Sequence, residues 1–374
     1  MATPKDPLHT QLCEDLGIEF PVVAFTHCSD VLVAVTKAGG MAVRGVSSLP
    51  PEEIEKEVKW IRDRIGDRPF GLDIVVPANV PPVADIEELR SQIPQANKDF
   101  VERVKSQHSI PDPKPPEPVT GRAHVAATIV GRSQEWYRKQ LDVILDLRVP
   151  VFCSAIGNPA FVLEACHERG MKVFGLVGSV RQAKREAEAG VDYIIAQGYD
   201  AAGHCPDVGT FSLVPQVVDA IKPRPVLAAG GVTSGKALAA ALCMGAVGVW
   251  TGTLWLACHE SDEDIIIKEK VLKATERDTV RTYAATGKPC RLLKSKLSEV
   301  WEQPDAPKLM QMPHQSILWY DLEKAAHDHK VVDFMTQAAG QGVGLVRELK
   351  PCSEILYDLV GEAQGVFEQL CFSN

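Results

Sequence analysis

Eight short runs rich in aliphatic and β-branched residues recur along the chain, and most are followed by a segment with helical periodicity. They are "VVAFT" at 22, "MAVRG" at 41, "FGLDIVV" at 70, "VPVFCSA" at 149, "KVFGLVG" at 172, "YIIAQG" at 193, "PVLAAGG" at 225 and "VGVWTGT" at 247. These runs are continuously apolar rather than alternating. A strand buries both faces only where helices cover the sheet, so the pattern predicts parallel strands. Eight strand–helix units point to closure into an α/β fold of the (β/α)8, or TIM-barrel, type.

The intervening segments carry helix-end signals. Ser179 with Gln182 predicts a capping box ahead of "VRQAKREAEAG", and Gly190 stands where a left-handed stop is needed. Pro50 and Pro51 precede "EEIEKEVKWIRDRIG", with acidic residues in the first turn and Arg62 and Arg64 near the last.

Two regions break the rhythm. Between the third and fourth runs lies an insertion, residues 77 to about 132, with a charged helix-like segment and then the proline-rich "SIPDPKPPEPVTG". It reads equally as a lid or as a solvated surface excursion. After Thr253 the chain turns helical and charged. The expected division is therefore a barrel over 1–255, carrying the insertion, and a helical C-terminal region over 256–374 packed on it.

Composition sets outer limits. The 374 residues are 45% hydrophobic and 24% charged, enough for a sizeable buried core. A net charge of -9 with no Lys/Arg block argues against a nucleic-acid partner. The start, "MATPKDPLHTQLCEDLG", lacks the apolar run of a secretion signal, and no long apolar stretch suits a membrane. A cytoplasmic protein with no membrane partner is expected, and a homo-oligomer is compatible with the sequence. Ten cysteines without a CxxC pair argue against a zinc framework, so no metal is expected.

In a barrel of this kind the C-terminal ends of the strands hold the active site. There the sequence is dense in chemistry. "AQGYDAAGHCPDVGT", 196–210, follows the sixth run with Gln197, Gly203 and His204. Gln197 can donate to and accept from a heterocycle edge, Gly203 lets the backbone approach a flat ring, and His204 titrates near neutrality and suits a proton-transfer role. Gly230 and Gly231 end the seventh run, with Thr233 or Ser234 as the cap of the next helix, and Gly252 and Thr253 end the eighth. Bare amides at that corner suit a phosphate.

Several decoys weigh less. Gly230 to Lys236 fits G-x-x-x-x-G-K, but Ala237 follows where Ser or Thr would hold magnesium. His27 and Cys28 follow the first run without a third orienting partner. "HDH" at 327–329 lies in a charged helical stretch and reads as a solvated face.

Taken together, "KAGGMAV" at 37, "RPFGLDI" at 68, the segment 178–204 ending in "AAGH", the segment 225–261, "DTVRT" at 278 and "AGQGVG" at 339 resemble the nitronate monooxygenase family, also called 2-nitropropane dioxygenases. The resemblance covers most of the chain apart from the insertion. It implies an FMN-dependent barrel, with the phosphate at Gly230, Gly231, Gly252 and Thr253 and the ring system near Ala24, Phe25, Thr26, Asp73, Gln197 and Gly203. His204 matches the family's catalytic histidine. The implied reaction oxidises an alkyl nitronate, or a nitroalkane first deprotonated by His204, with O2 to a carbonyl compound and nitrite. The sequence departs from the family pattern at Phe25, at Asp73 where an asparagine is frequent, and at Asp200-Ala201-Ala202. Alternatives on the same fold are an NAD(P)H:quinone or enoyl-acyl reductase that keeps the flavin, or a barrel that binds a phosphorylated ligand without turnover.

Overall fold

The computed structural model describes residues 6–75, 86–114, 133–154 and 159–372. All eight apolar runs form strands: β1 Val22–Thr26, β2 Met41–Gly45, β3 Gly71–Ile74, β4 Val151–Ser154, β5 Lys172–Val177, β6 Tyr193–Gln197, then, past a two-residue strand β7 Gly203–His204, β8 Val226–Ala229 and β9 Gly248–Thr251. They close into a parallel barrel in the order β1-β2-β3-β4-β5-β6-β8-β9, sealed by β1 on β9 with Val22 opposite Val249 and Ala24 opposite Thr251.

Alternate residues face opposite ways along each strand. One set fills the barrel with Val23, Met41, Val43, Phe174, Ile195, Leu227 and Trp250, plugged by Leu12 and Cys13 of α1 Gln11–Leu16. The other set, Val22, Ala24, Ala42, Leu72, Phe152 and Ile194, packs outward on the surrounding helices. Burial on both faces explains why the runs are continuously apolar.

The helical shell comprises α2 Ser29–Lys37, α3 Pro51–Ile65, α6 Gln134–Leu147, α7 Leu163–His167, α8 Val180–Ala189, α9 Thr210–Ile221 and α10 Gly235–Cys243, and the insertion contributes α4 Ile86–Ser91 and α5 Gln95–Gln107. Pro51 starts α3, and Ser179 caps α8 by accepting from the Gln182 amide. The Gln182 side chain accepts from the Gly178 amide, so the cap reaches one residue further back than a standard box. Gly190 ends α8 at φ 104°, and Ser234, not Thr233, caps α10.

Residues after 256 are not helical throughout. Alongside α11 Ile265–Lys273, α12 Lys296–Val300, α13 His314–Asp328 and α14 Cys352–Phe372, they contain β10 Thr279–Thr282 and β11 Cys290–Leu293. These two pair with β7 in a three-stranded antiparallel sheet, β10-β11-β7. The charges in "TVRT" and "CRLL" mask the strand pattern, yet Arg291 is buried and donates to the Tyr199 carbonyl and to Thr279 Oγ1.

The described part of the 77–132 insertion packs against this region. Phe100, Val101 and Val104 of α5 share a core with Trp301, Ile317, Leu318 and Trp319, and Arg90 makes a two-pronged ion pair with Asp321 at 2.6 and 2.7 Å. Much of the segment read as a lid lies outside the described residues. Among the described residues no helix is long and apolar enough to cross a membrane.

One shell contact carries a pH signature. Glu186 of α8 is buried against β5, in a space that exists because Gly175 has no Cβ, and its Oε2 has no hydrogen-bond partner among the described residues. Burial pushes its carboxyl up to about 8. The folded state thus holds a proton that the unfolded chain releases near its ordinary value, so stability falls as pH rises from about 4.5 toward 8. Thermal melts should show Glu186→Gln losing less stability than the native protein between pH 5 and 8; parallel curves would contradict a buried, protonated carboxyl.

Candidate functional site

The C-terminal strand ends open onto two adjoining hollows of about 230 and 80 Å³. Both are lined by Phe25, Gln197, Ala202, Trp250, Gly252 and Thr253, so they form one site with two compartments. A more open depression of about 750 Å³ at the opposite, N-terminal end of the strands, around Gln11, Lys184 and Pro223, holds none of the candidate residues.

At the junction the rings of Phe25 and Trp250 stack, 5.6 Å apart and 24° from parallel, and His27 meets Phe25 edge-on. Barrel closure makes this contact, because β1 and β9 are neighbours. Such a stack contributes about 0.5–1.5 kcal/mol beyond simple burial. Thr26 lines the larger compartment, but Ala24 lines neither, since its side chain joins the strand–helix core.

The smaller compartment is a glycine cradle. Gly230, Gly231, Gly252, Gly340 and Gly342 line it with Thr233 and Thr253, and among the described residues no acidic or basic side chain does. Gly230 and Gly231 sit at φ 99° and 73°, a region L side chains rarely adopt. The loop 340–342 is tied in by hydrogen bonds: the Gly340 amide donates to Thr253 Oγ1 at 3.0 Å, and Thr233 Oγ1 donates to the Gly342 carbonyl at 2.9 Å. Gly340 and Gly342 belong to the "AGQGVG" that carried part of the resemblance, though nothing in spacing alone assigned them to this corner.

The larger compartment brings together Thr26, His27, Cys28, Asp73, Gln197, Gly203 and His204, joined by Ser47, Asp262, Glu263 and Gln337, which sequence patterns did not single out. Asp73 is buried on β3 opposite Cys153. Gln197 uses one amide hydrogen on the His204 carbonyl at 2.6 Å, so it braces the loop as well as lining the site. Cys28 donates its thiol to the Glu260 carbonyl at 3.2 Å, and burial, aided by the charge of Asp262, pushes it up to about 11. It is a thiol, not a nucleophilic thiolate.

His204 sits on β7, with Cys290 of β11 as its pairing partner. Gly203, at φ 65°, makes the turn into that strand. The His204 Nε2 shares a 2.8 Å hydrogen bond with Thr286 Oγ1, and Thr286 lies too far along the chain for sequence spacing to flag it. Burial, reinforced by the positive charge of Lys288, lowers the imidazole to about 4. The ring is neutral at physiological pH and able to accept a proton.

The weaker motifs are accounted for elsewhere. Lys236 pairs with Glu362, while His327 and His329 bond the carbonyls of Thr336 and Asp112. His327 is half-buried, so only part of that motif is the solvated face expected.

Fold and site together are those of a (β/α)8-barrel enzyme. The nitronate monooxygenase family model matches residues 10–362, and the chain belongs to that family. A Mycobacterium tuberculosis protein named as a monooxygenase is 37% identical over 375 residues, covering 97% of this chain and 98% of its own. A Staphylococcus aureus protein named as a nitronate monooxygenase is 27% identical, covering 96% and 98%. Among solved structures, nitroalkane oxidase from Streptomyces ansochromogenes has a TM-score of 0.78 at 25% identity over 95% of this chain and 99% of its own. FabK from Thermotoga maritima has a TM-score of 0.73 at 27% identity over 98% and 99%. The chain is thus an oxidoreductase of monooxygenase type, from a family of flavoenzymes.

The site's residues fit such a cofactor: an uncharged cradle rich in backbone amides suits an anionic tail, and aromatic and amide groups at the junction suit a flat heterocycle. The cradle's geometry is testable directly. A Cβ on Gly230 would lie 2.7 Å from Thr210 Oγ1 in a disfavoured backbone region. Gly230→Ala is expected to cost on the order of 1–3 kcal/mol in denaturant unfolding, whereas Gly252→Ala, with open space at its Cβ position, should cost far less.

Proposed function

We propose that this chain is an FMN-dependent nitronate monooxygenase in which His204 is the base and a nitroalkane or its nitronate is oxidised with O2 to a carbonyl compound and nitrite. The observation that carries the reading is the His204 imidazole, held by Thr286, in a compartment that adjoins the glycine cradle, where burial lowers it to about 4. Gly230, Gly231, Gly252 and Thr253 would hold the phosphate, and Phe25, Thr26, Asp73, Gln197 and Gly203 would meet the ring system and its chain. For Ala24 only a main-chain role is compatible with where its side chain lies. The flavin, when bound, supplies electron transfer and the reaction with oxygen.

The protein's own part is binding and proton transfer. The carbon-bound proton next to a nitro group is weakly acidic, and a base that stays unprotonated across the neutral range removes it without first losing its own proton. Thr286 fixes the ring through Nε2; with the Thr286 hydroxyl accepting from Nε2–H, Nδ1 would be the nitrogen that accepts the substrate proton. Asp73, Asp262 and Glu263 line the larger compartment, and among the described residues no Lys or Arg does. That lining favours entry of a neutral nitroalkane over an anionic nitronate.

The same lining also suits uncharged quinones or enoyl compounds. It is the specific feature favouring the second reading, an NAD(P)H-dependent reductase, for which the likeness to FabK adds support. Anaerobic reduction of the bound flavin by NADPH or NADH would point to the reductase; reduction by a nitronate without a pyridine nucleotide would point to the monooxygenase. Protein that takes up no FMN would fit a barrel that binds a phosphorylated ligand without turnover and would contradict both.

His204→Asn should keep the flavin absorption while lowering kcat/KM for neutral nitroalkanes by about 10²–10⁴-fold, with preformed nitronates affected much less. Equal loss on both substrates would exclude the base role. For the native enzyme the acid limb of kcat/KM on nitroalkanes should fall near pH 4, because the base protonates only there. A limb near pH 6.5, the value of an unperturbed histidine, would contradict the buried environment.

A further inference from the structure

Away from the site just described, two buried thiols face each other between the barrel and the last helix. Cys258, in the loop after β9, and Cys352, the first residue of α14, lie 94 positions apart in sequence, with their sulfurs 3.4 Å apart. Both are fully buried. The backbone holds them together: Cys258 bridges Lys350 in parallel, the His259 amide donates to the Lys350 carbonyl at 3.0 Å, and the Cys352 amide donates to the Glu260 carboxylate at 2.9 and 3.1 Å. The Lys268 ammonium is fixed beside the pair by the carbonyls of Cys258 and Ser261, at 2.8 and 2.6 Å.

We infer that Cys258 and Cys352 are a redox pair that hydrogen peroxide closes into a disulfide, with Cys258 as the sulfur oxidised first and Cys352 as the resolving thiol. The thiol of Cys352 donates to the Cys258 sulfur, and that hydrogen bond, with help from the Ser261 amide and the Lys268 charge, holds Cys258 below the ordinary thiol range; Cys352 is correspondingly held above it. The Cys258 thiolate attacks the terminal peroxide oxygen, the O–O bond breaks, and the leaving oxygen departs as water after taking up a proton. The Cys352 sulfur then displaces hydroxide from the resulting sulfenic acid, losing its own proton. Two thiols and one hydrogen peroxide give one disulfide and two waters, with sulfur oxidised and peroxide reduced.

The alternative occupant of this place is a metal ion, since the Glu260 carboxylate stands within 4.8 Å of both sulfurs. The donor set argues against it. Among the described residues it supplies three groups where a structural zinc takes four, Glu260 is already engaged by the Cys352 amide, and the Lys268 ammonium stands alongside.

Closing the bond would fasten α14 to the loop whose following residues, Ser261, Asp262 and Glu263, wall the larger compartment. The pair thus links the redox state of the surroundings to one side of the active-site cavity. Burial restricts the oxidant to a small one.

The full-length protein is treated with hydrogen peroxide, denatured, alkylated and mapped by mass spectrometry. The expected result is a peptide pair joined through Cys258 and Cys352, two hydrogens lighter than its thiol form, lost on reduction with dithiothreitol and accompanied by a higher Tm. In Cys352→Ser, dimedone should label Cys258; in Cys258→Ser, it should not label Cys352. Full alkylation of both cysteines under conditions that oxidise the exposed Cys243 would overturn the inference. So would one equivalent of zinc in the purified protein, with the pair released to alkylation only by a chelator. The peptide map of the native protein stands even if a variant fails to fold.

Discussion

The seam between β1 and β9 is the constraint on which the rest depends. An open sheet of the same strands would leave two edges and splay its loops apart, whereas closure turns every strand end toward one mouth. It sets Phe25 against Trp250 at the junction of the two hollows, beside Gly252 and Thr253, which the pairing of β8 with β9 holds next to Gly230 and Gly231. The inward residues Val23, Met41, Val43, Phe174, Ile195 and Leu227 fill the space below, so the site rests on a packed floor.

Onto that barrel the chain adds a second body that belongs to the site as much as the strand ends do. Residues after β9 supply the cradle loop at Gly340 and Gly342, the wall at Asp262 and Glu263, and the support of His204 through β11 and Thr286. The insertion helices α4 and α5 stabilise this body through the core around Trp301 and Trp319 and the Arg90–Asp321 pair. The barrel thus presents the cradle, and the added body sets the polarity and position of the reacting groups.

Sequence patterning revealed the barrel because its signal is local: each strand is apolar on both faces, and each helix announces its ends with residues such as Ser179, Gly190 and Pro51. The glycine cradle was legible for the same reason, since a left-handed turn at Gly230 and Gly231 needs glycine. What escaped was set by long-range pairing. β7 has only two residues, β11 carries a buried arginine, Arg291, that looks solvent-facing in sequence, and the Thr286 partner of His204 is 82 positions away. Ala24 shows what a motif position alone leaves open: the strand pleat turns its side chain to the helices, so only its main chain would face the site.

The placement of His204 on β7 has a mechanical side. Among the described residues its strand pairs within the sheet β10-β11-β7 and not with the barrel's own strands, while Gln197 of β6 holds its carbonyl, so the imidazole is held from the added body as well as the barrel, and the glycine cradle is mounted largely on the barrel. The distance between ring and cradle is therefore a joint between two supports. A change at that joint would retune the chemistry without altering any residue that touches the ligand.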